Sequence, residues 1–121
     1  MSNPFDDQSN FMQACDQSVG VPNPEQAAMY VKLIAEEMNE LLEAIEAQDK
    51  IEILDALVDI MVVTIGAGHS IGADVQGAWD EVMRTNFAKI DQKTGKVKKR
   101  EDGKVLKPSG WTAPDLTPYV K

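Results

Sequence analysis

Two groups of acids lie close together along the chain, Glu36-Glu37-x-x-Glu40 and Glu52-x-x-Asp55-x-x-x-Asp59. The second group interrupts an otherwise apolar stretch. Carboxylates taken out of water are costly unless they are paired or bind a cation. At about 100° per residue, Tyr30, Leu33, Ile34, Leu41 and Ala44 all fall within about 60° of Glu37 on a helical wheel. Glu37 therefore occupies the middle of an apolar stripe, where a surface helix would carry leucine. Glu40 flanks the stripe about 60° to one side, and Glu36 lies about 100° away on that side. On the following segment Glu52, Asp55 and Asp59 share an arc of about 60°. If both segments are helices joined by a short connection, they are antiparallel neighbours and their acids converge on one cleft.

Such convergence is self-defeating without compensation. Two unit charges about 4 Å apart repel by roughly 4 kcal/mol at an effective dielectric near 20. A domain's whole stability is about 5–15 kcal/mol. Either some acids hold protons or a cation binds among them. Oxygen-only ligation favours Mg²⁺ or Mn²⁺ over Zn²⁺, and one Cys and one His make no competing cluster. The plain alternative is that the acids face solvent or pair with Lys89 and the basic tail.

The elements that must position these acids are legible. Asn23-Pro24-Glu25-Gln26 is a helix start, with Asn23 as cap, Pro24 in the first turn and Gln26 completing a capping box. That helix is expected to run to about Ala47. Asp49-Lys50-Ile51-Glu52 is a second capping box, predicting a helix from Lys50 to about His69. Eleven of the 15 residues from Ile51 to Ile65 are apolar and surround the helix, which predicts a central place in a bundle. A third long helix is expected from about Ala73, with Val75, Trp79, Val82, Met83 and Ile90 on one face and Asn86 amid them. Trp79, Met61 and Phe11 read as core, and His69 as a capping or surface residue. Ahead of these, residues 1–22 read as a loose start with a short helix at about Ser9–Ser18. Beyond Ile90, Lys93-Thr94-Gly95-Lys96 and Glu101-Asp102-Gly103-Lys104 are turn signals, followed by Pro108, Pro114 and Pro118. The fold class is all-α, a helical bundle with a C-terminal basic loop or hairpin, in one domain over 1–121 with loose ends at 1–8 and 117–121.

Charge is unevenly placed along the chain. The net charge is −8, yet residues 1–60 hold 13 acids and two bases, and eight of the 12 bases fall between Lys89 and Lys107. An acidic half repels a nucleic-acid polymer, whereas a basic segment beside a cation-loaded acidic half suits a triphosphate. The lone Cys15 excludes an internal disulfide. No stretch reaches the roughly 18 apolar residues of a membrane span, and the first residues lack the basic and apolar regions of a signal peptide. A soluble, cytoplasmic protein with no membrane partner is expected.

Taken together, the two acid groups, Arg84-x-Asn86-x-x-Lys89, Asp102-Gly103-Lys104 and Lys107-Pro108-x-x-Trp111 resemble the all-α nucleoside triphosphate pyrophosphohydrolases. The likeness is to the MazG-like and phosphoribosyl-ATP-pyrophosphohydrolase-like branch of bacteria and phages, and it covers about residues 10–116. It implies a bundle that assembles as a homodimer or homotetramer. It further implies Mg²⁺-dependent cleavage, with Mn²⁺ substituting, between the α- and β-phosphates of a nucleoside triphosphate, here expected to be a deoxynucleotide.

Carried over by residue, Glu37 and Glu40 would be metal ligands, and Asp59 matches the acid before the family's apolar run. Ala56 stands where that family carries a further Glu, so Asp55 or Glu52 would supply the missing carboxylate. Glu36 would orient or deprotonate the attacking water. Lys89, Lys104 and Lys107 could hold the outgoing pyrophosphate, and Asn86 and Trp111 could meet base or sugar. Arg84 points elsewhere on its wheel. Two other readings stand beside this one: a phosphoribosyl-ATP hydrolase, and a non-catalytic helical module for cation binding or oligomerisation.

Overall fold

The computed structural model describes residues 3–121 and contains four α-helices and a final 3₁₀ turn, with no strands among the described residues. The helices are α1 (Pro4–Ala14), α2 (Pro24–Glu46), α3 (Lys50–Ser70) and α4 (Val75–Phe87). Its contacts form two compact units. The first runs to Val75 and takes in Val120–Lys121; the second is Gln76–Tyr119.

In the first unit, α2 packs along α3, and α1 packs against α3. Asn23 caps α2, its side chain accepting from Gln26 N at 3.1 Å. The expected capping box closes differently. Gln26 does not turn back to Asn23. Its side chain bonds both backbone groups of Ser18 and the Ser70 hydroxyl, while Asn23 N donates to Ser70 O. One amide thus ties the loop before α2 to the end of α3. Asp49 caps α3 by accepting from Ile51 N and Glu52 N. The chain reverses through residues 47–49, with Gln48 at φ 55°, so α3 folds back along α2.

The first helix starts earlier than the sequence pattern implied. Asn3 accepts from Asp6 N at 2.9 Å, Pro4 occupies the first turn, and Asp6 and Asp7 complement the helix dipole. The helix ends at Ala14 because Asp16 takes φ 59°. Residues 4–8 are therefore helical rather than loose, and Met1 and Ser2 lie outside the described residues. Met12 is fully buried with Tyr30 and Val63 as the core, whereas Phe11, expected inside, is 62% exposed on the other face.

Two further expectations are corrected. His69 is buried, not superficial: its Nε2 lies 3.0 Å from Phe5 O, which joins α1 to α3. The apolar helix α3 is not enclosed. Ile51 is 80% and Leu54 62% exposed, and Leu57, Val58 and Met61 are exposed with them. Within the first unit α1 and α2 pack on α3 and leave this apolar flank open. No described helix is long and apolar enough to cross a membrane.

In the second unit α4 stops at Phe87, so Lys89 and Ile90 lie beyond it rather than on its face. Lys89 N bonds Asn86 O and Ile90 N bonds Phe87 O, the tightened pattern common at helix ends. Ile90 then bridges to Val97, and Lys99 to Val105, both antiparallel. The basic segment is a minimal hairpin around Asp102-Gly103, with Gly103 at φ 89°. Trp79, expected in the core, is 55% exposed.

Candidate functional site

Glu37 lies on the face of α2 that meets α3, because its neighbours on that face, Tyr30, Leu33 and Ile34, pack into the core or against it. Glu40 is one turn on. Asp59 lies on α3. One carboxylate oxygen from each of Glu37, Glu40 and Asp59 falls within 4.8 Å of the others. Glu37 and Asp59 are half-buried and Glu40 is exposed. Among the described residues, the one shielded side-chain oxygen or nitrogen without a hydrogen-bond partner is Oε2 of Glu37.

The electrostatics follow from that arrangement. Desolvation, then the Glu40 carboxylate, then the charges of Asp59 and Asp55 push Glu37 above the usual carboxylate range. Asp59 is raised by desolvation and by the charges of Asp55 and Glu40. A cluster that makes its own ionisation unfavourable is matched to a cation, which reverses both effects. Three convergent carboxylate oxygens form an all-oxygen donor set of the kind hard divalent ions prefer, and Glu37 also carries a shielded Oε2 without a hydrogen-bond partner. The residues present therefore fit Mg²⁺ or Mn²⁺.

The other predicted ligands divide. Asp55 is exposed but close enough to raise both Glu37 and Asp59. Glu52 is not in the three-oxygen group. It is exposed and lines an adjoining acidic cleft with Glu40, Glu43 and Asp49. Glu43, not singled out by the sequence reading, follows Glu40 at helical spacing, which is the signal that would have found it. Glu36 is exposed on α2.

The predicted substrate contacts all lie in the second unit. Lys89 Nζ donates to Asn86 Oδ1 at 3.1 Å and sits 5.3 Å from the centre of the Trp111 ring. Lys107 Nζ is 4.8 Å from the same ring. Trp111 Nε1 donates to Thr85 O at 2.7 Å, so the indole is fixed to α4. Asn86, Lys89, Lys107 and Trp111 are thus brought together. Arg84 and Lys104 are not part of that group. Arg84 makes a two-pronged pair with Glu81 at 2.7 and 3.0 Å. Hydrogen bonds from Arg84 and from Asp115 N hold the Glu81 carboxyl down to about 2. Lys104 stands at the hairpin tip, where its N–H donates to Asp102 Oδ1.

Residues 11–86 match the family model described as phosphoribosyl-ATP pyrophosphohydrolase. The chain belongs to that family. It is accordingly a member of the all-α nucleotide pyrophosphohydrolase superfamily and a hydrolase of phosphoric anhydrides. No curated protein matched the chain. The matched segment contains Glu37, Glu40 and Asp59, so the acid cluster lies within the part of the chain that defines membership. The family match stops at Asn86, before Lys89, the hairpin and Trp111.

Proposed function

We propose that the protein cleaves a nucleoside triphosphate, preferentially a deoxynucleotide, between its α- and β-phosphates, giving the monophosphate and pyrophosphate. The observation that carries this reading is the shielded, unpartnered Glu37 Oε2 beside Glu40 and Asp59 inside the family segment. Glu37, Glu40 and Asp59 would hold Mg²⁺, or Mn²⁺ in its place, with Asp55 or Glu52 adding negative charge. Such a cation would neutralise phosphate oxygens and polarise the phosphorus.

The chain's own residues have separate tasks. Glu36, exposed one residue from Glu37, would orient the attacking water or take its proton. Asn86, Lys89, Lys107 and Trp111, with Arg84 and Lys104 as further candidates, would offer amide, ammonium and ring contacts to the substrate. Phosphoryl transfer asks mainly for positioning and charge stabilisation. The resulting role is cleansing or remodelling of a nucleotide pool, in the cytoplasm.

The open flank of α3 supports a homodimer or homotetramer. Ile51, Leu54, Val58 and Met61 recur at helical spacing and are all exposed, and a contiguous apolar stripe of that kind marks an interaction surface.

The family's own name favours a second reading, phosphoribosyl-ATP as substrate. One experiment separates the two. The protein is incubated with Mg²⁺ and each canonical or modified dNTP, and separately with phosphoribosyl-ATP, and products are resolved by chromatography. Pyrophosphate from a dNTP supports the first reading. Release of single phosphate overturns it, and turnover of phosphoribosyl-ATP alone establishes the second.

A further inference from the structure

One hydrogen bond at each end fastens the stretch from Trp111 to Asp115 to α4. Trp111 Nε1 donates to Thr85 O at 2.7 Å, and Asp115 N donates to Glu81 Oε2 at 2.9 Å. Glu81 and Thr85 stand one turn apart on α4, a rise of about 6 Å. The chain from Trp111 to Asp115 can reach about 13–14 Å when extended. It is longer than the gap it bridges, and Thr112 and Ala113 are exposed along it. With one end released, the stretch has slack to move.

Glu81 is well placed to hold the far end. Its side chain is only 14% exposed. Arg84 Nε and Nη2 donate to its two oxygens at 2.7 and 3.0 Å, which fixes the carboxylate that Asp115 N meets. These bonds hold its carboxyl down to about 2, so it stays charged, and bonds to a charged acceptor are about twice as strong as neutral ones. Arg84 also offsets the charge that Glu81 sets against Asp115. The Asp115 carboxylate itself turns to Thr117 N and starts the final 3₁₀ turn.

We propose that Glu81 is a positioning residue for Trp111. By clasping Asp115 to α4 it closes the stretch behind the indole. The ring then stays on Thr85 O and within cation–π distance of Lys89 and Lys107. An exposed ion pair between residues three apart on a helix contributes little, and its loss would leave Trp111 where it is. The Asp115 bond gives the Glu81–Arg84 pair a second task. This role deepens the proposed function by naming what fixes one of its substrate contacts, and rests on that reading only for the effect on turnover.

The test uses full-length protein carrying Trp79→Phe, so that Trp111 is the sole tryptophan. Emission and acrylamide quenching of Trp111 are read in that parent and with Glu81→Ala, Glu81→Gln or Asn23→Ala added. Glu81→Ala should move emission to longer wavelength and raise the quenching constant, because the half-buried indole gains contact with water. Glu81→Gln keeps an acceptor for Asp115 N and should fall between parent and alanine variant; it carries the test if Glu81→Ala does not fold. Asn23→Ala removes the α2 cap and should leave Trp111 unchanged although the protein is less stable. An unchanged Trp111 in both Glu81 variants, or an equal change in Asn23→Ala, overturns the inference. For the nucleotide cleaved, Glu81→Ala should raise KM about tenfold and leave kcat within about twofold, the pattern of a lost binding contact. A fall in kcat with KM unchanged overturns the positioning role. Should no nucleotide be hydrolysed while Trp111 still shifts, the catalytic reading alone fails and the clasp stands.

Discussion

Replacing Asp59 by Asn should stabilise the metal-free protein and abolish its response to Mg²⁺. The carboxylate oxygens of Glu37, Glu40 and Asp59 lie within 4.8 Å of one another. At 4.8 Å one charge pair repels by about 0.9 kcal/mol at water's dielectric and about 3.5 kcal/mol at an effective dielectric of 20. Glu40 is exposed, so the lower figure governs. The substitution relieves two such pairs, a gain of about 1–2 kcal/mol at neutral pH. For a domain of this size that raises Tm by about 4–8 °C.

Mg²⁺ reverses the order. At about 100 times Kd a ligand adds about 2.7 kcal/mol to the native state, or roughly 10 °C for the unmodified protein, and nothing to a variant that has lost a ligand. The sign with pH follows from the raised values of Glu37 and Asp59. Their contribution to metal-free stability is complete below about pH 4, the ordinary carboxylate value. It is lost as pH rises through the raised folded values. Asp59→Asn should flatten that decline. Differential scanning calorimetry in EDTA and across a Mg²⁺ titration, at pH 4 to 8, reads all three effects. A metal-free Tm below that of the unmodified protein, or equal stabilisation of both by Mg²⁺, would refute the cluster as a cation site.

Further outcomes are expected elsewhere in the chain. Gly66→Ala places a methyl against the ring of Tyr30 in the core; overpacking of this kind costs about 1–3 kcal/mol, readable by urea denaturation. Asn23→Ala removes the α2 cap to Gln26 N and a contact to Ser18 Oγ, a loss of about 1 kcal/mol seen in the same assay. Glu52→Gln, at a residue outside the three-oxygen group, should keep most of the Mg²⁺-induced rise in Tm, whereas Glu40→Gln should lose it. Leu54→Lys on the open flank of α3 should lower the mass measured by light scattering towards that of a single chain, and an unchanged mass would remove the case for assembly through that face.

Local chemistry made much of this protein legible. Asn23-Pro24 and Asp49 start their helices as their cap chemistry requires, because a cap is a contact between residues three apart or fewer. Glu37 was conspicuous because helical spacing set it among apolar neighbours, and it is the residue with the shielded oxygen. Asn3 caps α1 through the same signal as Asn23, an Asn-Pro pair with acids after it. Gln26 followed a pattern correctly but used its amide elsewhere, since Ser18 and Ser70 approach it only once α2 and α3 are packed.

What the sequence determined by itself was therefore helix type, approximate helix limits, the uneven charge, and an acid set from which a cation site could be built. Periodicity and capping depend on neighbours along the chain, and these are present before folding. Tertiary structure alone decided which acids share a site. The wheel put Glu52, Asp55 and Asp59 on one arc, but only packing against α2 brings an oxygen of Asp59 to Glu37 and Glu40 and leaves Glu52 in the adjoining cleft. It likewise decided that His69 is buried against α1, that α3 keeps an open flank, and that Asp115 returns to Glu81. Each of these depends on which surfaces meet between residues distant in the chain, and no spacing along one helix encodes that.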